Sequence, residues 1–165
     1  MLEIMKGNKS RLLSLLFVTV SIFGAAITAA GQESHAQRAA RVLNETGLSF
    51  TKAGENIWTV PFEGKTQKDI IIVISVSDDM LSLFSLIAKK KELKTTPEML
   101  QKLLRFNDDF DRVKVGIDKD GDVFVRIDTS IRVLDKEELK ANIDQAAAAA
   151  DEVYKGLRPH LAVAK

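Results

Sequence analysis

The chain has 165 residues, 45% of them hydrophobic and 28% charged, and a formal net charge of +1. That size and balance fit one globular domain plus a short extension, and they argue against disorder. There is no cysteine, which excludes disulfides, a lipid-modified cysteine and thiol chemistry, so the domain must stand on its hydrophobic core alone.

The extension is at the front. Lys6, Lys9 and Arg11 precede the uncharged run "LLSLLFVTVSIFGAAITAA", Leu12 to Ala30. A basic start, an apolar middle and a small-residue exit at Thr28-Ala29-Ala30 have the pattern of a secretory signal peptide. Residues 1–31 are therefore expected to be removed on export, leaving 32–165 as a domain in the periplasm or outside the cell. The alternative is that the run is retained as an inner-membrane anchor, because about 18 to 20 apolar residues can span a bilayer. Only in that case would the membrane be a partner. Removing residues 1–31 takes away three basic residues and Glu3, leaving 21 basic against 22 acidic side chains. A nucleic-acid binder shows a basic excess or stripe, so nucleic acid is not an expected partner. The one locally basic stretch, "KKKELK" at Lys89 to Lys94, is expected to be a solvated loop.

Ser34 and Gln37 form a capping-box pair, Ala36, Ala39, Ala40 and Leu43 follow at helical spacing, and Gly47 supplies a stop, which predicts a helix over 34–46. The period then changes to two. Leu48 and Phe50 mark one strand, Trp58, Val60 and Phe62 a second, with a joint across Ala53-Gly54-Glu55-Asn56. Ile70 to Ile74 reads as a central strand apolar on both faces, and the tight polar turn Ser77-Asp78-Asp79, with Ser82 and Ser85 between bulky residues, favours a hairpin partner over a short helix for the following apolar run. Thr96-Pro97-Glu98 opens a second helix, with Leu100, Leu103 and Leu104 as its buried stripe.

Two more strands follow, Asp111 to Ile117 and Asp122 to Asp128. Asp135 with Glu138 then starts a last helix that keeps one apolar stripe from Leu139 to Leu157 and ends near Arg158-Pro159. Its five alanines, Ala146 to Ala150, make a narrow side that can lie close against a sheet. The order predicts an α+β domain, an antiparallel sheet of five or six strands with three helices.

"DKDGD", Asp118 to Asp122, invites comparison with a calcium loop. An EF-hand needs glycine at its sixth position and glutamate at its twelfth, where this sequence has Val123 and Thr129. The hairpin reading fits better. Pairing Val113, Val115 and Ile117 with Ile127, Val125 and Val123 makes Asp118 face Asp122 and leaves Lys119-Asp120-Gly121 as a three-residue loop with glycine at its left-handed position. A weak cation contact at these aspartates is the alternative.

Candidate chemistry is sparse. The only histidines, His35 and His160, lack partner motifs, and there is no glycine-rich phosphate loop, G-x-S-x-G or H-E-x-x-H. The acids fall mainly in turns and helix caps. The chain is thus expected not to be an enzyme and to use no cofactor and no metal. What remains is apolar surface: Trp58 and Phe62 on one strand, and Met80, Phe84 and Leu86 on one face of a neighbouring strand, are read first as a core sheet face, and they are the candidate partner surface if a side of the sheet is left uncovered by helices.

The segments "LLRFNDDFDRVKVGIDKDGDVFVRID" and "RVLDKEELKANIDQAAAAADEVYKGLRP" resemble the bacterial YbjN-type domains, which share the fold of type III secretion chaperones such as the Tir chaperone family. The markers are Leu103, Leu104 and Asn107 at a helix end, the D-x-D-G-D hairpin, and the alanine-rich helix ending in Asp151-Glu152-Val153-Tyr154. The resemblance implies a small homodimer that binds no nucleotide and holds an extended segment of a protein or peptide partner against apolar patches. Two features depart from the secretion chaperones: the export signal, where those proteins work in the cytoplasm, and a near-neutral charge, where those tend to be acidic.

Overall fold

The computed structural model describes residues 33–162. The expected signal segment or anchor lies outside the described residues. The first helix, α1 (His35–Glu45), begins at Ser34, whose Oγ accepts the Gln37 amide while the Gln37 side chain accepts the Ser34 amide. Gly47 ends it with φ +71°, the left-handed conformation that glycine adopts at least cost.

Six strands follow in an antiparallel sheet: β1 (Thr51–Gly54), β2 (Ile57–Phe62), β3 (Ile70–Ser77), β4 (Met80–Ala88), β5 (Lys114–Ile117) and β6 (Val123–Ser130). Their spatial order is β1-β2-β3-β4-β6-β5. Helix α2 (Pro97–Asp109) separates β4 from β5, and α3 (Lys136–Leu157) closes the domain. All three helices lie on one side. Helix α3 crosses β3, β4 and β6, with α1 on its β3 flank and α2 on its β5 flank. Ala146, Ala147, Ala149 and Ala150 are all buried, and these small side chains let the helix backbone approach the sheet closely.

The hairpins follow local turn chemistry. Ser77 pairs with Met80, so Asp78-Asp79 is the whole turn, and Asp78 takes φ +50°, which aspartate tolerates better than most residues. Between β5 and β6, Ile117 pairs with Val123 and Val115 with Val125. The Asp118 amide donates to the Asp122 carbonyl at 3.0 Å, and Gly121 has φ +87°. This is the expected register and the expected three-residue loop. One Asp118 carboxylate oxygen accepts the amides of Asp120 and Asp122, each at 2.9 Å, and Asp122 accepts the Lys90 amide at 2.8 Å. The aspartates thus serve the turn itself and tie it to the exposed lysine stretch.

Five expectations need correction. The first strand starts at Thr51, not at Leu48, because Leu48 and Phe50 pack against the core from the connection before it. Its turn is shorter too, with Glu55 and Asn56 between the strands and Asn56 at φ +55°. The run Ile70 to Ile74 is not buried on both faces: Ile70, Ile72 and Ile74 are in the core, whereas Ile71 is 45% exposed, since no layer covers its side. The buried stripe of α2 is Met99, Leu103 and Phe106, while Leu100 and Leu104 face outwards at 41% and 71% exposure. Finally, β5 starts at Lys114 rather than Asp111. Arg112 reaches Glu138 and Asn142 of α3, which draws the preceding residues away from β6.

Candidate partner surface

The side chains on the uncovered side of the sheet follow from the register. Alternate residues of a strand share a face, and those opposite the buried set form rows across neighbouring strands. One row runs Thr59–Val73–Phe84–Arg126–Lys114 over five strands. A second runs Ile57–Ser75–Ser82–Asp128. On the other flank Leu86 pairs with Phe124 and Phe124 with Gly116, and Pro61 pairs with Ile71.

The middle of this face is apolar. Phe84 and Phe124 stack with centroids 5.5 Å apart and planes 27° apart, a favourable aromatic arrangement. Gly116 makes room for that ring, since a Cβ there would stand 2.9 Å from Phe124 Cζ. Ile57, Ile71, Met80 and Leu86 are each 37–45% exposed. Ile71 and Leu86 adjoin the aromatic stack, whereas the Ser75–Ser82–Asp128 row separates Met80 from it, and an apolar cluster of this kind marks an interaction surface more often than an isolated exposed leucine does.

A charged group borders the patch. Asp128 accepts hydrogen bonds from Ser82 Oγ at 2.6 Å, Arg126 Nε at 2.7 Å and Lys114 Nζ at 3.0 Å. Its partial burial alone would push the carboxyl pKa up, but the bonds from Ser82, Arg126 and Lys114 outweigh that and hold it below the usual carboxylate range.

The five candidate residues fall on two different faces. Met80, Phe84 and Leu86 lie on the open face. Trp58 does not: it pairs with Ile74, faces the helices and is 5% exposed, so it belongs to the core and offers no surface to a partner. Phe62 shares Trp58's face at the sheet end and is half-buried. There it lines a cavity of about 410 Å³ with Ile70, Ala147 and Asp151. The physical reason is parity, because even-numbered positions of β2 and odd-numbered positions of β4 face the helices. Ile71, Lys114, Phe124, Arg126 and Asp128 share the open face with Met80, Phe84 and Leu86 and were not among the candidates. Register counting outward from Val125 and Leu83 would have found them.

A smaller apolar groove of about 270 Å³ lies between α2 and the edge strand β5, lined by Leu100, Leu103, Leu104, Val115, Gly116 and Ile117. Asn107 closes the strand edge here. Its Oδ1 accepts the Val115 amide at 2.8 Å and its Nδ2 donates to the Val115 carbonyl at 2.9 Å. One side-chain amide thus replaces a neighbouring strand and blunts an edge that would otherwise invite pairing.

Asp151 of α3 does similar work on the β2–β3 connection, accepting the amides of Lys65, Thr66 and Gln67 at 3.2, 2.8 and 2.7 Å. Burial acts to raise its pKa, but these backbone donors prevail and lower it. Gly64 is needed beside it, since a Cβ there would run into the carboxylate.

Comparison with known proteins agrees with this geometry. Residues 35–159 match the YbjN family, described as "Putative bacterial sensory transduction regulator", and the chain belongs to that family. Among solved structures it is similar to YbjN from E. coli, with 14% identity over 78% of this chain and 95% of the other at a TM-score of 0.55. It is also similar to a chain of the heterodimeric ExoU–SpcU complex from the type III secretion system of Pseudomonas aeruginosa, with 15% identity over 72% and 97% at 0.54. A chain of the ExsC–ExsE complex has 16% identity over 74% and 92% at 0.52. We found no match among curated proteins. The fold is that of the type III secretion chaperones, as the resemblance implied.

Proposed function

We propose that this YbjN-family chain is an exported, non-enzymatic binding module that holds an extended segment of a protein partner on the open face of its sheet, in the manner of a chaperone. The observation that carries this reading is the contiguous apolar patch around Ile71, Phe84, Leu86 and Phe124 on a face without helices. Its likeness in fold to chains from the ExoU–SpcU and ExsC–ExsE complexes supports the same reading. The amino-terminal pattern before Gly31 supports export to the periplasm.

The test is in-cell photo-crosslinking from position 86, with position 140 on the outer side of α3 as the control. One defined polypeptide captured from 86 and absent from 140 is the expected result. Self-crosslinks alone would overturn the reading.

The homodimer belongs to the same proposal, through the groove between α2 and β5. Leu104 protrudes beside a cavity lined by Leu100 and Ile117, so a two-fold partner could place its leucine in this cavity and receive this one in return. Leu104→Glu is expected to convert a dimer to a monomer in sedimentation. A wild-type monomer at high micromolar concentration would remove this part.

A membrane-tethered sensory or regulatory subunit is the second reading, favoured by the family description and by the uncharged run from Leu12 to Ala30. Intact mass of the native protein separates the two. Loss of residues 1–31 supports the exported module, and a full-length mass in the membrane fraction supports the tether.

A further inference from the structure

We infer that the segment held on the open face carries a carboxylate side chain among its apolar residues, and that Arg126 and Lys114 receive it. The inference rests on the proposed function and adds the chemistry of the partner.

Arg126 and Lys114 extend the row that contains Val73 and Phe84, so they lie beside the apolar patch on the same face. Their side chains are 47% and 68% exposed, whereas that of Asp128, which holds them both, is 12% exposed. Two cations therefore stand over one shielded acid, and the local balance at the surface is positive. Their donors are also unspent. Among the described residues Arg126 uses only Nε and Lys114 makes a single bond, which leaves the guanidinium Nη groups and two ammonium protons to meet a ligand oxygen. Asp118 and Asp122, which follow on this face at the loop end, accept backbone amides and do not compete.

Neighbouring strands are about 4.8 Å apart, and alternate residues of an extended peptide are about 7 Å apart. A segment crossing the sheet with an apolar side chain over Phe84 thus brings its second following residue between the two cations. The chemistry sought is apolar residues at alternate positions with Glu or Asp continuing the alternation.

A second copy of this chain stacked about an axis through the two cations is disfavoured as the occupant, because it would bring like charges together. Two cations are also too few for an anionic membrane, which is recognised by clusters of about four or more.

The test uses synthetic twelve-residue peptides in which leucine, valine and phenylalanine alternate with serine or threonine, and one alternate position is Glu, Gln or Lys. Binding to the purified native protein is read by fluorescence anisotropy at low and high salt. The Glu peptide is expected to bind about fivefold more tightly than the Gln peptide and still more tightly than the Lys peptide, with the difference fading as salt screens it. Arg126→Gln with Lys114→Gln is expected to abolish the discrimination between the Glu and Gln peptides. Lys114→Glu, a single change at an exposed position, should shift preference towards the Lys peptide.

Equal affinity for all three peptides, lost in Leu86→Ser, would overturn the carboxylate inference while the binding reading stands. No binding by any peptide would overturn both. Binding to phosphatidylglycerol vesicles without discrimination among peptides would overturn the inference in favour of a lipid surface.

Discussion

In β3 and β4 both faces of the sheet carry large apolar side chains, and these have opposite fates. In β3, Ile70, Ile72 and Ile74 are at most 1% exposed under the helices, while Ile71 between them is 45% exposed and Val73 is half-buried. In β4, Leu81 and Leu83 are buried, while Met80 and Leu86 face out. Apolar character alone therefore does not separate core from surface in this protein. What separates them is α3, whose alanine side lies on one face and leaves the other bare. The covered face supplies stability, and the open face carries the proposed partner surface.

The sharpest test of that contrast is a pair of adjacent isoleucines. Ile72→Ala should destabilise the domain by about 3 kcal/mol through lost burial and a residual cavity, whereas Ile71→Ala should cost less than about 1 kcal/mol. Urea unfolding of the two variants measures both. Similar losses would mean that the open face is covered in solution, for example by a second copy.

The next effect concerns the sheet edge. Asn107→Ala leaves the Val115 amide and carbonyl without their partner and should cost about 2 kcal/mol. Hydrogen exchange at Val115 should quicken, and the unprotected β5 edge should promote association.

Asp151→Ala removes the acceptor for three amides of the β2–β3 connection and should cost about 1.5 kcal/mol at neutral pH. The folded-state pKa of Asp151 is lowered, so its contribution is full above the unfolded value of about 3.9. It is lost as pH falls through the lower folded value. The difference between wild type and variant should therefore shrink in that acidic window, and a constant difference down to acid-induced unfolding would refute the assignment.

The smallest change is Gly121→Ala. The φ of +87° makes any side chain there unfavourable, and the new Cβ would also press on the flexible Lys90 stem, for about 1 kcal/mol in all. Thermal melts should show the loss with peptide binding on the open face unchanged.

Local chemistry was legible in the sequence wherever a few neighbouring residues decide the outcome. Ser34 with Gln37, Thr96-Pro97 and Asp135 each cap the helix expected of them. The apolar alternation around Asp118–Asp122, together with Gly121, was enough to set a hairpin register. The element order and the fold were readable because each element carries its own start and stop signal.

Tertiary structure alone decided which of two apolar faces is covered, because alternation within a strand marks two faces without saying which one meets the helices. That is why Trp58 reads as a surface candidate and lies in the core, and why Leu100 and Leu104 read as a buried stripe and lie outside. The Asp128 cluster joins Ser82, Lys114 and Arg126 from three strands, and Asn107 and Asp151 each hold backbone from another element. Such contacts depend on pairing between segments distant in the chain: strand parity assigns each residue a face, and only the register across strands brings these side chains together.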